Sequence, residues 1–178
     1  MTNQVLEAIA GRRSNRAYKN AQITKEQLDA ILAAAEQAPS ARNAQPWHFT
    51  VVQNGALLAE INAEVSKNLN NDVGDIFYAA QTVIFIAANV FGPTPKWARL
   101  DCGIAVQTIA LAAHSNGLGS VILGMPDAAF TGPRGDYFNK ALKFPATYEF
   151  AVAIAIGVPN DTKDAHPILP DKIAYVTG

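Results

Sequence analysis

Apolar residues recur every three or four positions in several stretches of the chain, which is the spacing of a buried helix face. This spacing predicts a first short helix at about residues 3–10, with Thr2 as its cap and Gly11 at its end. A capping box that starts at Thr24 predicts a second helix, which Pro39 ends. Further helices are predicted around Leu57–Val65, at Trp97–Asn116 and at Asp136–Leu142.

Four other segments have the composition of strands. Trp47–Gln53 is rich in aromatic and β-branched residues and ends at an Asn-Gly turn. Thr82–Ala88 and Tyr148–Gly157 are continuous apolar runs, as expected of strands that are buried on both faces. Ser120–Leu123 is short and apolar and predicts a fourth strand. Helices around four strands indicate one α+β layered domain over all 178 residues.

The long helix Trp97–Asn116 is apolar around most of its circumference. Two interpretations stay open: it is the central core helix of one chain, or it packs against a second chain. Its small side chains, which would let another helix approach closely, are Gly103, Ala105, Ala110, Ala112 and Ala113. From Val158 onward the apolar rhythm fades and prolines recur, which predicts an extended arm and favours a partner for it to embrace.

Composition and charge argue against several classes of function. The chain of 19.0 kDa is 49% hydrophobic and carries 14 Lys and Arg against 15 Asp and Glu, so it lacks the basic surplus of a nucleic-acid-binding protein. No apolar run approaches the ~20 residues that span a bilayer, and no signal peptide is recognisable, so we expect a cytoplasmic protein without a membrane partner. Cys102 is the single cysteine, and His48, His114 and His166 are widely spaced, so we expect no metal site.

The sharpest chemical feature is the sequence Arg12-Arg13-Ser14-x-Arg16, which directly follows the first predicted helix. A guanidinium binds phosphate oxygens in pairs, and a serine hydroxyl adds a neutral donor. The segment is therefore a candidate anion site, although a solvated basic turn would have the same composition.

Two further segments combine polar side chains or glycines with predicted loops. Pro39–Trp47 supplies a hydroxyl, a guanidinium and the carboxamides of Asn43 and Gln45, which suit the edge of a heterocycle or a polyol better than a metal. Gly117–Pro126 has glycines on both sides of a short strand, and backbone near Gly124 could lie against a flat ligand. Taken separately, each segment is also compatible with an ordinary loop.

Together these motifs resemble the nitroreductase family of FMN-dependent flavoproteins over nearly the whole chain. The stretches that carry the resemblance are Arg12-Arg13-Ser14-x-Arg16, Pro39-Ser40-x-x-Asn43-x-Gln45-Pro46-Trp47, Asp101-x-Gly103-x-Ala105-x-Gln107, Gly117-Leu118-Gly119 and Gly157-Val158-Pro159. The family implies a three-layer α+β fold, in which helices flank a central mixed or antiparallel sheet, and an intertwined homodimer with FMN at the subunit interface.

The resemblance also implies roles for individual residues. The contacts to the FMN phosphate and ribityl chain would come from Arg12, Arg13, Ser14 and Arg16. The residues that reach the flavin of the other subunit would be Pro39, Ser40 and Ala41, with Asn43 and Gln45 nearby. The isoalloxazine ring would face the backbone of Ile122, Leu123 and Gly124. No catalytic side chain is implied, because the flavin carries the chemistry.

The tail departs from the family pattern. Relatives usually place a basic residue there to complete the phosphate site, whereas His166 lies closest to that position in this chain, with Lys163 as the second candidate. A histidine is only partly charged near neutral pH, so the departure predicts FMN binding that depends on pH.

The resulting functional expectation is an oxidoreductase that takes hydride from NADH or NADPH and reduces a nitroaromatic, a quinone or a similar small acceptor in a ping-pong cycle. A flavin-dependent dehydrogenase or flavin-cleaving relative is a competing interpretation, but it would need a polar lid, whereas the candidate lid Asn89–Lys96 is short and apolar. The motifs are also compatible with a flavin-binding protein without nicotinamide turnover and with a dimer that binds a different phosphorylated ligand.

Overall fold

A computed structural model describes residues 3–177, which form the predicted helices and strands in the predicted order, together with one further short helix. The strands are β1 (Trp47–Val52), β2 (Thr82–Asn89), β3 (Gly119–Leu123) and β4 (Tyr148–Gly157). The α-helices are α1 (Gln4–Gly11), α2 (Lys25–Glu36), α3 (Gly55–Asn68), α4 (Ala98–Ser115), α5 (Asp127–Phe130) and α6 (Gly135–Ala141). Single 3₁₀ turns occur at Ala41–Asn43 and Pro170–Lys172.

The four strands form one antiparallel sheet in the order β1-β2-β4-β3, so the predicted α+β fold is confirmed. Residues of β2 alternate between two cores, because successive side chains point to opposite faces of a sheet. Val83 and Phe85 pack with α3, α5 and α6, whereas Ile84 and Ile86 pack with α2 and α4. The sheet is therefore the middle of three layers, and β2 is buried on both faces as predicted.

The helix ends follow local sequence signals. The capping box at Thr24 is present, since its hydroxyl accepts the Gln27 N–H and the Gln27 side chain accepts the Thr24 N–H. The predicted cap Thr2 lies outside the described residues, and the N-cap of α1 is Asn3, whose side chain accepts the Leu6 N–H at 3.0 Å. The short helix α5 has no counterpart among the predicted helices.

The long helix α4 has two distinct faces. Ala105, Ala110 and Ala113 are fully buried against the sheet and α2, so their small side chains serve the core of this chain rather than a partner. Leu100 and Ile104 remain exposed on the opposite face beside Gly103. The interpretation of α4 as a core helix thus holds for the face that packs against the sheet and α2. The opposite face has no neighbour in the described chain. None of the described helices is long and apolar enough to cross a membrane.

Candidate functional site

The arginine-rich segment runs beside the first residues of β3. Ser14 forms a parallel bridge with Ser120, and the Asn15 N–H donates to the Ser120 carbonyl at 2.9 Å. The segment is anchored by Tyr18, whose hydroxyl donates to the Asn15 carbonyl and whose ring covers Gly157. A Cβ on that glycine would lie 2.9 Å from the ring, so the close approach requires glycine. Residues 12–16 are thereby held along one edge of the sheet.

The three arginines of this segment are not equivalent. The Arg13 guanidinium donates to the carbonyls of Ala10, Arg12 and Lys163 at 2.6, 2.7 and 3.2 Å, and so joins the end of α1 to the tail. Within residues 3–177, neither Arg12 nor Arg16 has a carboxylate within ion-pairing distance of its guanidinium. Arg12 and Arg16 therefore remain available to an anionic ligand, whereas Arg13 stabilises the site.

Asp161 fixes the tail beside this segment, a role that no sequence motif indicates. Its carboxylate accepts the Arg16 backbone N–H at 3.0 Å and the Asn15 side-chain amide at 2.8 Å. These hydrogen bonds, the one from Arg16 above all, hold the pKa of the Asp161 carboxyl below its usual range. An acidic residue in a polar tail gives no local signal of such a contact, because its partners lie about 145 positions earlier.

The tail and the arginine segment together enclose a cavity of about 650 Å³, which we call the arginine cavity. The residues that line it include Arg12, Arg13, Ser14 and Arg16 from the arginine-rich segment and Lys163 and His166 from the tail. The structure thus brings together the predicted phosphate contacts and both candidates from the tail. The chemistry of these donors fits a phosphate monoester, because cationic and hydroxyl donors line the same cavity. Among residues 3–177, Asp164 is the one acidic residue in its lining.

The loop between α2 and β1 is held in an unusual backbone conformation. Arg42, Asn43 and Gln45 have φ angles of 54°, 55° and 45°, in the left-handed region that asparagine tolerates but arginine and glutamine rarely adopt. The Ser40 hydroxyl accepts the Gln45 N–H at 2.9 Å, and the Gln45 amide donates to the Asn43 side chain at 2.9 Å. The side chains singled out in the sequence therefore order one another.

A buried carboxylate on α4 supports the same loop. Asp101 is 3% exposed, and both of its oxygens accept the Ala41 N–H at 3.2 Å. The sequence places Asp101 in a family motif without a role, and its partner 60 positions earlier could not be inferred from spacing. Burial and the charge of Asp101 raise the pKa of the neighbouring Cys102 thiol to about 12, so Cys102 is an uncharged packing residue at neutral pH.

Within one chain, this loop and the arginine cavity are not brought together. Pro39, Asn43 and Gln45 line a second cavity, with α2 and β1, that shares no lining residue with the first. The end of β3, by contrast, is close to the arginine-rich segment, because Ser120 of the same strand forms a bridge with Ser14. There Ile122 is 39% exposed, Leu123 is buried, and a Cβ added to Gly124 would meet nothing within 4 Å. Open space in front of this backbone leaves room for a flat ligand.

Two solved structures share this fold over nearly the whole chain. A nitroreductase with bound FMN from Desulfitobacterium hafniense DCB-2 is 38% identical with a TM-score of 0.92, over 99% of this chain and all of that one. A nitroreductase with bound FMN from Bacteroides fragilis NCTC 9343 is 28% identical with a TM-score of 0.89 over the same shares.

The sequence itself identifies the family. The model of the nitroreductase family matches residues 9–75 and 73–158, and the chain belongs to this family, as the motifs predicted. A relative from Archaeoglobus fulgidus, named "Putative NADH dehydrogenase/NAD(P)H nitroreductase", is 33% identical over 96% of both chains. The protein named "FMN reductase [NAD(P)H]" from Bacillus subtilis is 27% identical over 96% of this chain and 72% of its own length.

Proposed function

We propose that this protein binds FMN and uses it to oxidise NADH or NADPH and to reduce a small acceptor. The observation that carries the proposal is that Arg12 and Arg16 line the same cavity, and that neither has a carboxylate partner among residues 3–177. Two guanidiniums that line one cavity without an ion-pair partner offer an anionic ligand charge-assisted hydrogen bonds, in a chain whose net charge is only −1. Membership in the nitroreductase family and the FMN-bound solved relatives support FMN as that anion.

The proposed contacts follow the walls of the arginine cavity. Arg12 and Arg16 hold the phosphate, Ser14 donates to the phosphate or the ribityl chain, and Arg13 keeps the tail in place. Lys163 and His166 complete the cationic side, on the wall that the tail supplies. The backbone of residues 122–124 faces the flavin ring, where Gly124 leaves space and the exposed Ile122 side chain offers an apolar surface.

The second part of the site is proposed to come from another copy of this chain. The loop of Pro39, Ser40, Ala41, Asn43 and Gln45 would reach the flavin of the partner subunit, and its residues Pro39, Asn43 and Gln45 line a cavity apart from the arginine cavity. Three exposed apolar surfaces offer an interface for a homodimer. They are Val5, Leu6 and Ile9 on α1, Leu100 and Ile104 on α4, and Ile168, Ile173, Tyr175 and Val176 on the tail.

When bound, FMN supplies hydride transfer between a reduced nicotinamide and an acceptor such as a nitroaromatic or a quinone. The protein's own contribution is binding and orientation. The cationic walls fix one end of the ligand, and the preordered loop and the end of β3 confine the other. The ordering of this loop before binding lowers the entropic cost of placing the reactants. One open face would serve the nicotinamide and the acceptor in turn, which is a ping-pong order.

An absorption spectrum of the purified protein tests this function. Flavin bands are expected, and they should bleach when NADH or NADPH is added without oxygen. Bands that persist after either addition would retain FMN but reject nicotinamide oxidation, in favour of a dehydrogenase, a flavin-cleaving enzyme or a binding protein without turnover. A colourless protein that takes up no added FMN would reject the whole proposal.

A further inference from the structure

A separate small cavity lies where the loop after α2 meets the segment that precedes α4. It has a volume of about 250 Å³ and is walled by Ala41 and Arg42 on one side and by residues 93–97 on the other. None of its lining residues lines the arginine cavity. It also shares no lining residue with the cavity of Pro39, Asn43 and Gln45, and is therefore a further place at which this chain could bind part of a ligand.

Two cationic side chains face this cavity. Within residues 3–177, neither Arg42 nor Lys96 has a carboxylate within ion-pairing distance. The carboxylate of Asp101 accepts the Ala41 N–H beside this loop and forms no ion pair with Arg42. The Lys96 ammonium lies 5.1 Å from the centre of the Trp97 ring, and this cation–π contact holds its charge at the cavity wall.

A neutral donor accompanies the two charges. Thr94 is 6% exposed, lines the cavity, and its hydroxyl has no hydrogen-bond partner among the described residues. A buried hydroxyl without a partner is costly, so such groups are normally bonded to protein, water or ligand. The hydroxyl can donate to an anionic oxygen that is bound between Arg42 and Lys96.

The backbone of Arg42 is held in place for such a contact. Its φ angle of 54° is unfavourable for arginine, and the hydrogen bonds of Asp101 and Ser40 to the loop maintain it. Unfavourable backbone conformations persist where the surrounding structure overdetermines them, often at ligand-binding positions.

We propose that this cavity binds a phosphate group of the reduced nicotinamide dinucleotide. A guanidinium, an ammonium and a hydroxyl match the several acceptor oxygens of a phosphate. The inference rests on the proposed function, because Ala41 belongs both to this cavity and to the loop that is proposed to reach the flavin. A dinucleotide anchored here by a phosphate can extend its nicotinamide toward that flavin. The phosphate is either the 2′-phosphate, which only NADPH carries, or the pyrophosphate, which NADH shares.

Calorimetric titration of the flavin-loaded protein tests the site without turnover. The probes are adenosine 2′,5′-bisphosphate and adenosine 5′-diphosphate, and the variants are Arg42→Gln and Lys96→Gln. Arg42→Lys retains a charge without the planar guanidinium, and Lys140→Gln removes a charge from the exposed side of α6, outside the cavity. Loss of one charge-assisted contact is expected to raise the dissociation constant about tenfold. Arg42→Lys should have a smaller effect, and Lys140→Gln none.

The probes whose affinity falls in the variants distinguish the two phosphates. Weaker binding of the 2′,5′-bisphosphate alone supports the 2′-phosphate and predicts a rise in KM for NADPH but not for NADH. Weaker binding of both probes supports the pyrophosphate. Unchanged affinities in both variants, or no binding of either probe to the unmodified protein, would overturn the inference. If NADPH still bleaches the flavin of the unmodified protein in that case, the proposed function stands and only this site fails.

Discussion

The carboxylate of Asp101 on α4 accepts the backbone N–H of Ala41 with both oxygens, and this contact joins the start of the longest helix to the loop after α2. The loop has three residues with left-handed backbone, so it depends on such external contacts for its conformation. One buried charge therefore supports both surfaces that we assign to the loop, the one toward the flavin and the one toward the nicotinamide phosphate.

Asp101→Asn should destabilise the protein. The variant keeps the shape of the side chain but replaces a charged acceptor with a neutral one, at an expected cost of about 1–3 kcal/mol in the free energy of unfolding. Urea unfolding with FMN present in every sample measures this cost. The exposed Asp127, which has no side-chain hydrogen bond in the described structure, provides the control Asp127→Asn. Equal stability of the two variants would show that the contact to Ala41 contributes nothing.

Arg12→Ala and Arg16→Ala should each weaken FMN binding. A charge-assisted contact to phosphate contributes about 1.5–3 kcal/mol, which corresponds to roughly a tenfold to hundredfold rise in Kd. Quenching of flavin fluorescence during titration measures the affinity, and Lys140→Ala serves as the control for charge. Full affinity in both arginine variants would mean that the phosphate lies elsewhere.

His166 should make FMN affinity depend on pH. Only the protonated form of a histidine is a cation, so its contribution to phosphate binding declines as the pH rises. The phosphate itself gains charge near pH 6, with the opposite effect. The measurement is therefore the ratio of Kd values for His166→Gln and the unmodified protein at several pH values. The ratio should fall toward one as the pH rises, and a constant ratio would leave Lys163 as the cation of the tail.

Asp161→Asn should affect stability at neutral pH more than in acid. The pKa of this carboxyl is lowered in the folded state, chiefly by the hydrogen bond from the Arg16 backbone. A lowered pKa stabilises the fold while the group is ionised, and the contribution is lost as the pH falls below about 4. Unfolding experiments between pH 7 and pH 3 should show the difference between variant and unmodified protein shrinking on acidification. A difference that is independent of pH would contradict an ionic role.

Leu100→Glu or Ile104→Glu should separate the proposed homodimer. Both side chains are exposed on the face of α4 that has no neighbour in the described chain, and burying a carboxylate in an apolar interface is strongly unfavourable. Sedimentation velocity should then report a monomer. Leu69→Glu, at an exposed apolar position after α3, is the matched control and should leave the dimer intact. A monomeric unmodified protein would reject the shared site.

Local patterns in the sequence predicted most of the fold. The capping box at Thr24 and the apolar runs of β2 and β4 are decided by neighbouring residues, and the structure confirms them. Helix α5 was not predicted, because its four residues are too few to show an apolar face with helical spacing. Its place is fixed by tertiary packing, in which the Phe130 ring stacks on Phe150 with centroids 4.6 Å apart.

The sequence predicted which side chains of the candidate site would be donors to a ligand, but not the contacts that hold them in place. Arg12, Arg16 and the loop residues were recognisable as motifs, whereas the supporting contacts of Asp161 and Asp101 join positions far apart in the chain. The small residues of α4 show the same limit, since helical spacing cannot tell which face a partner would cover. Ala105 and Ala113 turned out to lie in the core.

The bond from Arg13 to the Lys163 carbonyl closes the arginine cavity with two segments that are 150 residues apart. Both walls exist only after the chain has been synthesised through His166, and closing a loop of about 150 residues costs conformational entropy. Loading of the proposed cofactor into the enclosed cavity therefore follows the synthesis of residues 163–166. A prematurely terminated chain would have the arginines of the site but could not enclose a phosphate with them.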